Sequence, residues 1–312
     1  MPEYLYPGVY IEETQSGNKP IEGVSTSTVG FLGVAERGPE TTTLITSYSE
    51  FVRSFGHYFT DAAGNQRYLA FGLEGFYQNG GKRCFVQRVW RDGGAPAVNG
   101  DPNVRITAIG QGTWGNRVGI KVAPNADNTA FTLTVMYWSE APPAPIVDPT
   151  SRDPQDLRDP NRREPQLTEV FEDLSTNEKS SSFYERQIND VSTLIKIEQV
   201  LPDMPAAVAA PELLAGGADG AGDLVPADFK GDPADEPGTK TGLDALNEVD
   251  EISLLTSPDE HAIANFEIAK ALIDQCELRK DRFAILSSLD AAGPIATHII
   301  DYNSKYAAYY YP

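Results

Sequence analysis

The chain has 312 residues, 40% of them hydrophobic, and 25 Lys and Arg stand against 45 Asp and Glu for a net charge of −20. This acidic balance argues against a nucleic-acid groove, because clustered basic side chains are needed there to neutralise phosphates. No apolar run approaches the ~20 residues that cross a bilayer, and the N-terminus lacks the basic and apolar regions of a secretory signal. The length suggests about two domains, and we expect a protein made in the cytoplasm without membrane insertion.

The first thirteen residues contain an extended segment with no sequence neighbour to pair with. Its aromatic and β-branched residues favour a strand, and the polar residues 14–27 that follow have the composition of a linker. A lone strand carries unpaired backbone groups, so we expect this arm to add to a sheet edge, in its own domain or in a neighbouring copy. The residues assigned to the arm strand are Tyr6, Pro7, Gly8, Val9, Tyr10, Ile11, Glu12 and Glu13.

The next segment has the pattern of an α/β core. A nearly continuous apolar run at 28–35 predicts a strand buried on both faces. Ser47 and Glu50 have the spacing of a capping box, which predicts the start of a short helix that ends at Gly56.

A second helix is predicted over 66–78 and a second strand over 83–90. The order strand, helix, helix, strand is typical of a crossover connection between parallel strands. Cys84 in this strand and Cys276 lie far apart in apolar contexts, so we expect both thiols to be buried and free.

After residue 92 the pattern changes to short runs of alternating apolar and polar residues at 104–109, 117–122 and 131–138. These runs predict a small antiparallel β subdomain inserted into the sheet domain. Residues 141–165 contain seven prolines, which predicts an exposed, extended loop.

The regular patterns that follow are a strand at 167–174, a helix at 183–191 and a strand at 194–200. Residues 202–238 are rich in Ala, Gly, Pro and Asp without periodicity, which predicts a surface insertion. Between residues 201 and 250, eleven acidic side chains are opposed only by Lys230 and Lys240, which is typical of a solvated face.

The last part of the chain predicts a second strand, helix, strand unit. Its first strand is expected at 252–255, and Ser257, Pro258 and Glu260 have the spacing of a helix start. That helix is expected to run for about twenty residues to a buried strand at 282–289. Further elements are predicted as a helix at 243–249, a helix at 295–302 and an aromatic strand at 306–312.

These elements predict an α/β fold, an open and mostly parallel sheet flanked by helices, with an inserted antiparallel β subdomain and an extended N-terminal arm. The segments are 1–27 as arm and linker, 28–92 as the first part of the core, 93–180 as the β subdomain with its proline-rich loop, and 181–312 as the second part of the core, with an acidic Gly- and Pro-rich insertion at 202–240.

The ends of the predicted strands offer little for catalysis. Asp290 follows the strand at 282–289, and His261 lies in a helix start, but the chain has neither a Gly-x-Ser-x-Gly elbow nor the glycine patterns that cradle phosphates. No Cys or His pair has metal-ligand spacing. We therefore predict no catalytic, cofactor-binding or metal-binding residues, while an α/β hydrolase that uses Asp290 or His261 and a soluble binding module remain alternatives.

Seven blocks along the chain share one resemblance. They are Pro7-Gly-Val-Tyr-Ile-Glu-Glu13, Ser27-Thr-Val-Gly-Phe-Leu-Gly-Val-Ala-Glu-Arg-Gly-Pro39, Phe76-Tyr-Gln-Asn-Gly-Gly-Lys-Arg-Cys-Phe-Val-Gln-Arg-Val89, Gly112-Thr-Trp-Gly-Asn116, Phe171-Glu-Asp-Leu-Ser175, Gly216-Gly-Ala-Asp-Gly220 and Tyr306-Ala-Ala-Tyr-Tyr-Tyr-Pro312. Together they resemble the contractile tail sheath proteins of bacteriophages and of related phage-tail-like injection systems.

The resemblance implies a non-enzymatic subunit, assembled in the bacterial cytoplasm, that polymerises as stacked rings around an inner tube. The rings then contract to drive the tube through a target envelope. It also implies a subtilisin-like core without protease activity, and an arm that exchanges a strand with neighbouring copies. The implied partners are other copies of the chain, an inner tube protein and a baseplate. Family members usually continue beyond the aromatic end with a further domain, so we expect a shortened or truncated member.

Overall fold

The computed structural model describes residues 28–61, 63–189, 191–288 and 301–310. The predicted arm strand at 6–13, Asp290 and most of the predicted helix at 295–302 lie outside these ranges. The strands are β1 (Thr28–Val34), β2 (Thr43–Ile45), β3 (Arg83–Val89), β4 (Val104–Ala108), β5 (Val118–Pro124), β6 (Phe131–Tyr137), β7 (Leu167–Leu174), β8 (Ile195–Gln199), β9 (Val208–Leu213), β10 (Leu254–Thr256), β11 (Phe283–Ser287) and β12 (Ala307–Tyr310). The α-helices are α1 (Tyr48–Phe55), α2 (Leu69–Gln78), α3 (Tyr184–Ile188), α4 (Pro226–Lys230), α5 (Gly242–Asn247) and α6 (Glu267–Arg279).

A six-stranded sheet in the order β12, β11, β10, β1, β3, β2 forms the centre of the α/β core. All its neighbouring strands pair in parallel except β2, which pairs antiparallel with β3. The predicted parallel pairing within both strand, helix, strand units is confirmed, and the apolar run at 28–34 lies centrally and is buried on both faces. Strand β2 was not predicted, because three residues are too few to show an alternating pattern.

The first unit follows its sequence signals closely. The Ser47 side chain accepts a hydrogen bond from the Glu50 N–H at 3.2 Å, and Gly56 ends α1 with a φ of 91°. The Glu50 carboxylate binds the Thr46 N–H at 2.8 Å, one residue earlier than a capping box would place it. Helix α2 begins at Leu69, three residues later than predicted.

The second unit corrects the predicted helix start at Ser257. Short 3₁₀ turns occupy Glu260–Ala262 and Ala264–Phe266, and α6 begins only at Glu267. Asn265 and Phe266 have φ values of 62° and 56°, which interrupt a right-handed helix. Glu260, which was expected in the first turn of this helix, binds a distant part of the chain instead, as described below.

The inserted β subdomain contains two antiparallel sheets. One has the strand order β7, β6, β5, β9, and in the other β4 pairs with β8. The pairing does not follow the predicted division at residue 180, because β8 and β9 pair with β4 and β5. Residues 181–213 are therefore joined to the subdomain, and Ile195 and Ile197 of β8 lie in its apolar core.

The acidic segment 202–240 has more structure than its composition predicts. It contains β9 and the short helix α4, and Phe229 of α4 is buried in the apolar cluster around α5 and α6. Neither element shows a period in the sequence, because only one residue of β9 is buried and α4 is only five residues long.

The proline-rich loop 141–165 contains only a short 3₁₀ turn among its described residues. It is tied to the subdomain by the Trp138 indole N–H, which donates to the Arg163 carbonyl at 3.0 Å, and by Lys121, whose Nζ lies 2.6 Å from the Asp148 carboxylate.

Both Cys84 and Cys276 are buried and free, as predicted. Within the described ranges, no helix has the length and apolar character to span a membrane.

Candidate functional site

The carboxyl ends of the parallel strands carry a buried carboxylate that links three elements. Asp259 accepts hydrogen bonds from the N–H of Val34, at the end of β1, at 2.9 Å and from the N–H of Tyr68, just before α2, at 2.8 Å. Burial raises the pKa of Asp259, and the two backbone hydrogen bonds oppose that rise. Both carboxylate oxygens have backbone donors, so Asp259 holds the sheet to α2.

The neighbouring Glu260 meets Ser287 at the end of β11. Its Oε1 accepts hydrogen bonds from both the backbone N–H and the hydroxyl of Ser287, and its Oε2 is buried without a partner. His261 Nε2 lies 3.1 Å from the Ser287 carbonyl oxygen rather than from the hydroxyl. Burial lowers the pKa of His261, while hydrogen bonds to the Ser287 and Ser288 backbone oppose that change. The group on the Ser287 hydroxyl is therefore the Glu260 carboxylate, and the His261 imidazole does not occupy the position that the histidine of a Ser-His-Asp triad takes beside its serine.

The cluster of Glu260, His261 and Ser287 was not found from the sequence. Glu260 and Ser287 are 27 positions apart, and only the fold brings them together. Asp290 lies outside the described residues, as does the whole predicted arm strand. In the described part of the chain, no group of three or more His, Cys, Asp or Glu side chains could hold a metal ion.

Glu260 makes stability depend on pH. Burial raises its pKa from 4.5 to about 7, because Ser287 only partly compensates the lost hydration of the carboxylate. The folded state therefore binds the proton more tightly than the unfolded state, and this stabilisation is lost as pH rises from about 4.5 to about 7. We therefore compare the free energy of unfolding of Glu260→Gln with that of the natural chain. The difference should shift in favour of the variant by about 2 kcal/mol as pH rises from about 5 to about 8. Urea unfolding across that range checks this, and a constant difference at every pH would contradict it.

Two of the glycine-containing blocks bind each other directly. The Asp219 carboxylate accepts hydrogen bonds from the N–H and the hydroxyl of Thr113, both at 2.7 Å. The Asn116 side chain exchanges hydrogen bonds with the backbone of Gly217, at 2.8 and 2.9 Å. A Cβ at Gly217 would lie 2.5 Å from the Gly112 carbonyl oxygen, so glycine is needed for this close approach.

The turn at 36–39 joins the α/β core to the β subdomain. Buried Arg37 donates to the carbonyls of Val52 and Arg53 at the end of α1, at 3.0 and 2.6 Å, and its guanidinium lies 4.9 Å from the centre of the Tyr137 ring. The Tyr137 hydroxyl in turn donates to the Glu36 carboxylate at 2.6 Å. The turn is therefore bonded to both parts of the chain.

Arg88 of β3 connects the same turn to the subdomain. It is buried and donates to the Gly38 carbonyl at 3.2 Å and to the Gln111 carbonyl at 3.0 Å. The blocks at 27–39, 76–89, 112–116 and 216–220 therefore meet at one junction. A cavity of about 290 Å³ lies there, at the carboxyl ends of β1 and β3.

No family model and no curated protein matches the chain. Comparison with solved structures finds a sheath tail protein from Desulfitobacterium hafniense, 13% identical, with 90% of this chain and 52% of that one covered and a TM-score of 0.45. It also finds a sheath tail protein from Listeria innocua, 13% identical, with 84% and 47% covered and a TM-score of 0.47. The chain thus spans about half the length of these two structures.

Proposed function

We propose that the chain is a structural, non-enzymatic subunit of a contractile tail sheath. It polymerises as stacked rings around an inner tube, and contraction of the rings drives the tube through a target envelope. The observation that supports this proposal most is the junction at which four of the family-like blocks meet. Their characteristic residues bind one another and the backbone, which is the role expected of side chains that maintain a scaffold.

In this proposal the arm strand at 6–13 connects the copies. An extended segment that pairs through its backbone with a neighbouring copy, followed by a linker at 14–27, keeps subunits joined while they rotate during contraction. The subtilisin-like character of the core, the inner tube protein and the baseplate belong to the same proposal. The particle assembles in the bacterial cytoplasm and becomes part of a virion or a phage-tail-like machine.

Deleting residues 1–15 is expected to abolish assembly, because the backbone groups that join one copy to the next are removed. Negative-stain electron microscopy and sedimentation of the full chain and of the deletion variant measure this. A more specific test compares two variants that carry the same substitution, one in the arm strand and one in the linker. Val9→Pro removes a strand N–H and should shorten or abolish polymers, whereas Gln15→Pro in the linker should leave them intact. Polymers of normal length from the deletion variant would refute strand exchange by the arm.

A further inference from the structure

The cavity at the junction is lined by charged side chains of both signs. Three arginines face it, and three carboxylates share its wall. These residues are Arg88, Arg91, Arg117, Glu36, Asp61 and Asp219. Trp90 and Trp114 supply apolar surface beside them.

The three carboxylates already have close donors. Glu36 accepts from the Tyr137 hydroxyl at 2.6 Å, and Asp219 accepts twice from Thr113 at 2.7 Å. Asp61 is bonded to Arg67 at 2.5 Å and to the N–H of Asn65 at 2.9 Å. Burial alone would raise the pKa of Asp61, but these hydrogen bonds hold it below its usual value. The acceptors in the cavity wall are therefore committed.

Two of the three arginines keep a donor without a partner, although Arg88 also donates to the Gly38 and Gln111 carbonyls and Arg117 pairs with Glu36 at 3.6 Å. The side chain of Arg91 is 16% exposed, its Nε is buried without a hydrogen-bond partner, and its nearest carboxylate is Asp61 at 3.7 Å, which is already engaged by Arg67. Arg88 is 5% exposed, and its Nε also lacks a partner. A largely buried guanidinium with unused donors is costly unless an acceptor reaches it.

We propose that this cavity binds a carboxylate group, to which Arg91 is the principal hydrogen-bond donor and the more deeply buried Arg88 is a second donor. The guanidinium fork matches the two oxygens of a carboxylate, and the tryptophans suit an apolar stem behind the charged head. A phosphate with two negative charges fits less well, because the carboxylates in the same wall would repel it more strongly. The volume of about 290 Å³ suits a ligand of side-chain size.

The carboxylate has two possible sources. One is a small free carboxylate, and the other is an acidic side chain of a second copy of the chain. The chain carries 45 acidic residues against 25 basic ones, and Asp232, Asp235 and Glu236 are exposed in its acidic segment. The second source rests on the proposed function, because it requires assembly of copies.

Butyrate tests the binding without requiring assembly, because it is a free carboxylate whose four carbons match a glutamate side chain together with its Cα. Sodium butyrate should raise the melting temperature of the full chain by roughly 2 °C over sodium chloride at the same ionic strength. Butyramide, which has the same shape without the charge, should give no rise. Saturation-transfer NMR of butyrate provides a readout that does not depend on stability.

Arg91→Gln should abolish both signals, whereas Arg105→Gln, at an exposed arginine paired with Glu198, should leave both unchanged. If Arg91→Gln does not fold, Arg91→Lys replaces it and should reduce the NMR signal. Equal effects of butyrate and butyramide, or an undiminished response in the Arg91 variants, would overturn the proposal. If butyrate but not butyramide shortens the polymers of the natural chain, the carboxylate comes from a second copy. If butyrate binds and the polymer length does not change, the source is a free ligand.

Discussion

Replacing Arg37 with alanine is expected to lower the free energy of unfolding by about 4 kcal/mol. Arg37 is 2% exposed, and its guanidinium donates to the Val52, Arg53 and Ser54 carbonyls at the end of α1. Alanine would leave these carbonyls without their donor and would open a cavity beside the Tyr137 ring. Burial lowers the pKa of Arg37, which shows that the buried charge has lost hydration. Removing that charge therefore regains part of the desolvation free energy, but it does not replace the lost hydrogen bonds.

The matched control for this variant is Arg53→Ala. Arg53 lies in the last turn of α1 with an exposed side chain, and its loss should change the stability by less than about 0.5 kcal/mol. Urea unfolding monitored by far-UV circular dichroism measures both variants. Equal and small effects of the two substitutions would show that Arg37 does not hold α1 to the subdomain.

The second large effect is expected at Glu169 in β7, where alanine should cost about 3 kcal/mol. This carboxylate is 6% exposed and accepts three hydrogen bonds from the turn before β8. The donors are the Ser192 hydroxyl at 2.6 Å, the Thr193 N–H at 3.0 Å and the Thr193 hydroxyl at 2.8 Å. Without the carboxylate, the turn that positions β8 loses its acceptor, and the partly buried Thr193 N–H and the hydroxyls of Ser192 and Thr193 lose the group to which they donate.

Glu172→Ala on the same strand is the control, because that side chain is exposed and should contribute little. Tryptophan fluorescence follows the unfolding of this region, since Trp114 and Trp138 are both buried in it. Glu169 also attracts Arg37 electrostatically, so the double variant should lose less than the sum of the two single losses. Strict additivity would contradict an interaction between the two charges, and equal losses at Glu169 and Glu172 would contradict the role of the turn.

The predictable parts of the fold were those whose signals are local. The apolar run of β1, the Ser47 cap with its Gly56 stop and the alternating runs of the β subdomain each depend on neighbours in sequence, and the structure has them where they were expected. The strand, helix, strand order fixed the parallel pairing for the same reason.

The parts that were missed depend on contacts between distant residues. Glu260 has the spacing of a first-turn helix residue in the sequence, but its carboxylate binds Ser287, and the helix starts later. The neighbouring Asp259 binds Val34 and Tyr68. Long-range partners of this kind leave no trace in local spacing.

The candidate sites also combine features that local sequence patterns indicate with features that depend on contacts between distant residues. The sequence singled out the glycine-containing blocks at 112–116 and 216–220, but nothing local indicated that Asp219 would bind Thr113, a contact across 106 positions. The uncommitted donors of Arg91 could be recognised only after the fold had shown which carboxylates were already engaged.

Electron microscopy of the full chain at increasing concentration tests the central claim most directly. A tail sheath subunit is expected to form hollow helical polymers built from stacked rings, and removing residues 1–15 is expected to abolish them. Monodisperse single copies at every concentration, in a preparation whose circular dichroism shows it to be folded, would contradict the proposed function.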